Sequence, residues 1–96
     1  MAAANAAAET TATTGLGPYV LGGALPGSVT FASRVANGTV RSYRVTDRRQ
    51  TEWVSGLFSS ASNSLSRITI EASTNGGAPI DWGPGRKFVY LDSDGA

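Results

Sequence analysis

Neither cysteine nor histidine occurs in the 96 residues of this chain. Without them, disulfide frameworks, thiol nucleophiles, Ser-His-Asp triads and the common zinc sites cannot be built, and no cofactor or metal is expected. Long apolar runs are missing as well. No segment approaches the roughly 20 residues a membrane helix needs, so no membrane partner is expected. Met1 to Ala8 lacks a basic start and a leucine-rich stretch, and does not read as a signal peptide. Lysine is nearly absent, Lys87 being the one exception among eight basic residues, and the formal net charge is only +1. So small a surplus supplies no field of the kind that draws nucleic acid, which is not an expected partner. Arginine suits bidentate interface contacts better than lysine does, although a plain solvated arginine surface reads equally well.

What is present is a small, turn-rich chain. At this length only ~60–65% of the unfolded surface is buried on folding, so the core is thin. With disulfides and metal excluded, oligomerisation or docking on a larger body remains as the supplement.

Residues 1–14 are almost entirely alanine and threonine, with no large apolar side chain after Met1. An alanine-rich run this short is marginal as a helix, and it has nothing to bury. It reads as a flexible N-terminal arm, disordered when free or docked on a partner, with Ala2, Ala3, Ala4, Glu9 and Thr10 as contact candidates. Residues 15–96 read as a single β domain. Tyr19–Leu21 is a short strand, closed by Gly22-Gly23 and Pro26-Gly27.

Alternation over Val29–Val35, then Asn37-Gly38, then Val40–Val45 predicts a hairpin. A two-residue turn would set Arg34 opposite Arg41. A three-residue loop, Ala36-Asn37-Gly38, instead pairs Val29 with Val45 and Phe31 with Tyr43, and is the expected register. Asp47–Thr51 is a polar turn into a strand that carries Trp53 and ends at Gly56. Ser59–Ser64 is a polar loop. In Leu65–Glu71 the alternation assigns Ile68 and Ile70 to the core. Lys87–Leu91 is apolar on both faces, as suits a strand in the middle of a sheet. The fold class expected is all-β, a small antiparallel sandwich or open barrel.

Catalytic constellations are scarce. Glu52 and Glu71 sit on predicted strands and are the one carboxylate pair with which a glycosidase reading could begin, but the surface-charge reading is preferred in so small a domain. Asp92-x-Asp94-Gly95 begins like a calcium loop and lacks the later ligands; Gly15-x-Gly17 has no preceding strand and no complete fingerprint. No catalytic residue is assigned. Eight aromatic side chains remain, and either they fill the core or some form an exposed strip for a partner. Leu57 and Phe58, just after Gly56, are the expected exposed anchors, with Trp82 as a further contact. A carbohydrate-binding module that recognises host surface glycan through Trp53, Phe58 or Trp82 is the alternative reading.

Taken in order, Glu9-Thr-Thr-Ala-Thr-Thr-Gly15, Glu52-Trp-Val-Ser-Gly56, Leu65-Ser-Arg-Ile-Thr-Ile70, Ser73-Thr-Asn-Gly-Gly77 and Gly85-Arg-Lys-Phe-Val-Tyr90 resemble a short β module. That module recurs in virion proteins of tailed bacteriophages and related gene-transfer particles. The likeness covers nearly the whole chain after the alanine-rich start. It implies a non-enzymatic structural protein located in the virion, of head-decoration, spike-base, fibre or tail-accessory type. Its expected partners are copies of itself, commonly as a trimer, and other virion proteins such as capsid, tail or portal components.

Overall fold

The computed structural model describes residues 7–91. Seven strands are formed: β1 (Ala8–Thr11), β2 (Tyr19–Ala24), β3 (Val40–Thr46), β4 (Thr51–Ser59), β5 (Ser64–Leu65), β6 (Thr69–Ser73) and β7 (Lys87–Leu91). They are ordered β3-β7-β1-β2-β5-β4-β6, with an additional β3–β4 pairing. That pairing closes a ring of six antiparallel strands into a barrel, and β6 is added outside the ring along β4. The all-β expectation holds, with the barrel closed rather than open. Closure leaves few edges, which in so small a sheet limits unwanted pairing.

The best-formed unit is the β3–β4 hairpin, in register from Val40↔Leu57 to Thr46↔Thr51. Its turn is built by Asp47, whose Oδ1 accepts from the amides of Arg49 and Gln50 at 2.9 Å each. Those bonds, Gln50's first, hold the Asp47 carboxyl below its ordinary range. Arg48 takes the left-handed conformation at φ 80° to complete the turn. Along β3, Tyr43 and Val45 point inward; along β4, Glu52, Val54, Gly56 and Phe58 do. Tyr19, Leu21, Leu65, Val89 and Leu91 fill the rest of the barrel. Each fully buried Val, Leu or Phe contributes about 1.5–3 kcal/mol by removal from water.

The expected Val29–Val45 hairpin does not form. Phe31–Ser33 is a 3-10 turn, and Val29 makes only an isolated parallel bridge to Ala7. Phe31 and Val35 are both buried. They lie four residues apart, a spacing that serves one turn of helix as well as a strand, so the segment caps the barrel. Asn37-Gly38 does turn, with Gly38 at φ 81°. The chain there bonds to the end of β4, through Gly38 N to Phe58 O at 2.8 Å and Phe58 N to Thr39 O at 3.0 Å.

The arm expectation is likewise overturned from Ala7 onward. Strand β1 lies between β2 and β7, bonded to both, and Ala8 and Glu9 are buried. Small Ala and Thr side chains suit a strand that packs closely on both sides. Ala2, Ala3 and Ala4 lie outside the described residues.

Gly56 does not end its strand. A Cβ built there would come within 1.7 Å of the Ser66 carbonyl oxygen, so only glycine allows the chain to cross β4 at that point. That crossing splits the expected Leu65–Glu71 strand into β5 and β6, with a register shift opposite Trp53 and Val54. Leu65 therefore turns inward. Ile68 is 60% exposed, contrary to expectation, and Ile70 packs half-buried against the core.

Candidate functional site

Four polar side chains meet inside the barrel. Glu52 is fully buried on β4, and its two oxygens face four donors. Oε1 accepts from the Tyr19 hydroxyl and from Arg67 Nε at 3.1 Å; Oε2 accepts from Arg67 Nη2 and from the Ile80 amide at 2.8 Å. Arg67 also donates to the carbonyls of Gly15 (3.1 Å) and Ile80 (2.8 Å), and its guanidinium lies 4.8 Å from the Tyr19 ring centroid. Trp82 Nε1 donates to the Tyr19 hydroxyl at 2.6 Å. Burial foremost, then the Glu52 carboxylate, pushes the Tyr19 hydroxyl well above its ordinary pKa. Tyr43, whose hydroxyl donates to Ser66 O, is raised by burial in the same way.

Two further charged side chains are buried and engaged. Glu9 accepts from the amides of Gly23 at 3.1 Å and Phe31 at 2.7 Å, tying β1 to the capping turn. Lys87 donates to the carbonyls of Thr13 (2.9 Å) and Gly83, with its ammonium 6.0 Å from the Trp82 ring centroid. Desolvation lowers the Lys87 pKa, and Asp47 partly offsets it. Among the described residues, no buried side-chain nitrogen or oxygen lacks a hydrogen-bond partner.

This interior revises the expected sites. Glu52 is a core residue and not a surface charge. Glu71 is exposed on β6, its Oε2 accepting from the hydroxyls of Ser42 at 3.2 Å and Ser55. The carboxylate pair is thereby dissolved, one member inside the barrel and one outside. Phe58 is 0% exposed and Trp82 3% exposed, so neither presents a ring to a partner. The reason is periodicity: β4 runs unbroken through Gly56, so neighbours face opposite ways and only Leu57, 38% exposed, points outward. Thr10 is half-buried opposite Phe88.

Apart from Trp53, half-buried on β4, the outside carries residues that the sequence reading does not single out. Two rows of side chains cross the barrel wall. The first runs Ala72, Trp53, Arg44, Tyr90, each the register partner of the next. The second runs Thr51, Thr46, Phe88, Thr10. Arg44 stacks over Tyr90 at 4.7 Å and Arg48 over Phe88 at 5.4 Å. Only the cross-strand register brings these residues together, and the Asp47–Gln50 turn was the signal for it. A separate apolar pair lies at the other end of the same wall, where the exposed Val40 and Leu57 are opposite one another; Ile68, also exposed, precedes β6 and bonds through its amide to Ser55 O at 3.0 Å. Strand β6 pairs with β4 alone, leaving its outer edge without a described strand.

Comparison of the chain with protein-family models, with curated proteins and with solved structures finds no match in any of the three.

Proposed function

We propose that the chain is a structural protein of a tailed-bacteriophage virion. It associates with copies of itself, as a trimer, and docks on the particle as a head decoration, spike base or short fibre or tail accessory. What supports this reading is the position of the residues that carry the resemblance to virion modules. Glu9, Glu52, Gly56, Leu65, Arg67 and Lys87 are all drawn from those motifs. In the fold they hold β1 to the cap, cross the chain over β4 and lock the barrel interior. On this reading the motifs that carry the resemblance specify a frame. The strongest acid candidate, Glu52, has both oxygens engaged inside that frame and no exposed surface.

Self-association has two places to act. The outer edge of β6 offers backbone groups for strand pairing, and the exposed Val40, Leu57 and Ile68 offer apolar area on the outside of β3, β4 and the chain entering β6. A second copy using both would cover the most exposed apolar side chains of β3 and β4. Immunogold labelling of purified particles with an antibody to the chain tests the assignment. Label on particles at a fixed position is the expected result; chain found wholly in the particle-free fraction rejects it.

A further inference from the structure

We infer that the outer wall of β7, β3 and β4 binds a carboxylated polysaccharide through Arg44, Arg48 and Trp53. The inference does not depend on the virion assignment. Tyr90 and Phe88 are two residues apart on β7 and face the same way, about 7 Å along the strand. Each ring has a guanidinium over it, Arg44 at 4.7 Å and Arg48 at 5.4 Å. A guanidinium held over a ring face does not spend its in-plane N–H donors on the ring, and a planar fork of such donors is what takes a carboxylate bidentately. Neither arginine has a carboxylate partner among the described residues. The nearby acids are otherwise held: Asp47 by the amides of its own turn and Glu71 by the hydroxyls of Ser42 and Ser55.

Trp53 completes the row beside Arg44, with the small Ala72 on its far side. A half-buried indole flanked by a small residue is a plate for the C–H face of a sugar ring, and the two arginines then meet acid groups on successive sugars. An acidic peptide suits this wall less well. Strands β3 and β7 are bonded on both sides, so no backbone edge is open there for an extended peptide to join. Recognition must run through side chains alone, and sugars supply both the apolar face and the charge.

The test is calorimetric titration of the full chain with polygalacturonate, alginate and hyaluronate at about 0.15 M salt. Dextran serves as the neutral control and poly-L-glutamate as the acidic-peptide control. Saturable binding to at least one carboxylated glycan, with none to dextran, is expected. Arg44→Gln/Arg48→Gln should weaken it at least tenfold, and Trp53→Ala comparably, with circular dichroism unchanged; Arg86→Gln should not. Absence of binding to all three glycans overturns the inference, as does equal binding by the folded double variant. Equal or tighter binding of poly-L-glutamate, lost in the same variant, overturns it in favour of an acidic protein partner.

Discussion

Arg67 and Glu52 form a two-pronged buried ion pair, with side chains only 4% and 0% exposed. Arg67 lies between β5 and β6 and Glu52 on β4, and their remaining bonds reach Gly15, Tyr19 and Ile80. The pair therefore ties three connecting segments to two strands. Removing one partner leaves the other charge buried without its counterion, at a cost of about 3–5 kcal/mol. Against a total stability of roughly 5–14 kcal/mol for a domain of this size, that is a large share. Glu52→Gln and Arg67→Met should each lower the urea midpoint steeply. The double variant should recover part of the loss, because no unpaired charge remains. Equal midpoints for wild type and Glu52→Gln would refute the role.

Gly56 permits the close crossing of Ser66 over β4, where an added Cβ would lie 1.7 Å from a backbone oxygen. Gly56→Ala should prevent native folding, seen as loss of the cooperative thermal transition. Gly17→Ala is the control, since nothing lies within 4 Å of its Cβ position and its φ is ordinary. A Gly56→Ala variant with the wild-type Tm would mean that the crossing does not constrain the fold.

Alkaline stability follows from three buried groups. Tyr19 and Tyr43 have raised pKa values, so above about pH 10 the unfolded chain loses protons that the folded chain keeps. Stability then falls with pH, by up to about 1.4 kcal/mol per pH unit for each tyrosine. Lys87 acts in the opposite sense. Its pKa is lowered, so between the folded value and about 10.4 the unfolded chain holds more protons and stability rises with pH. Urea unfolding from pH 8 to 12 should show a rise or plateau, then a steep fall above about pH 10. Lys87→Met should remove the rise and Tyr43→Phe should shallow the fall; an unchanged falling slope in Tyr43→Phe would exclude Tyr43 as a cause.

Truncation separates the two parts of the N-terminal region. Deleting residues 2–6 leaves β1 intact and should preserve the β-sheet circular dichroism signal. Deleting residues 2–14 removes the strand that joins β2 to β7 and should abolish the fold. Native spectra for both deletions would show that β1 is dispensable.

Much of the strand content was legible in the sequence because alternation is local. Tyr19–Leu21, Val40–Val45, the strand through Trp53 and Lys87–Leu91 all lie in strands. Partner choice was not legible, because it depends on residues distant along the chain. Val40–Val45 alternates equally well against Val29–Val35 or against Thr51–Phe58, and Asp47's capping of its own turn favours the second. Residues 8–11 carry little apolar signal, being mostly Ala and Thr, and so look like an arm in the sequence; their place depends on Glu9 finding the amides of Gly23 and Phe31. Glu52 looks like a surface charge in the sequence because its counterion, Arg67, is 15 residues away and reaches it only after the Gly56 crossing. For the same reason the Arg44 and Arg48 face was invisible: it exists only once β7 is placed beside β3.

The proposed self-association on a virion is decided by mass. Analytical ultracentrifugation of the purified chain, alongside the copy number at each site on intact particles, gives the decisive pair of values. A species of three times the chain mass in solution and copies in threes on the particle are expected. A single-chain mass in solution together with isolated single copies on the particle would contradict it.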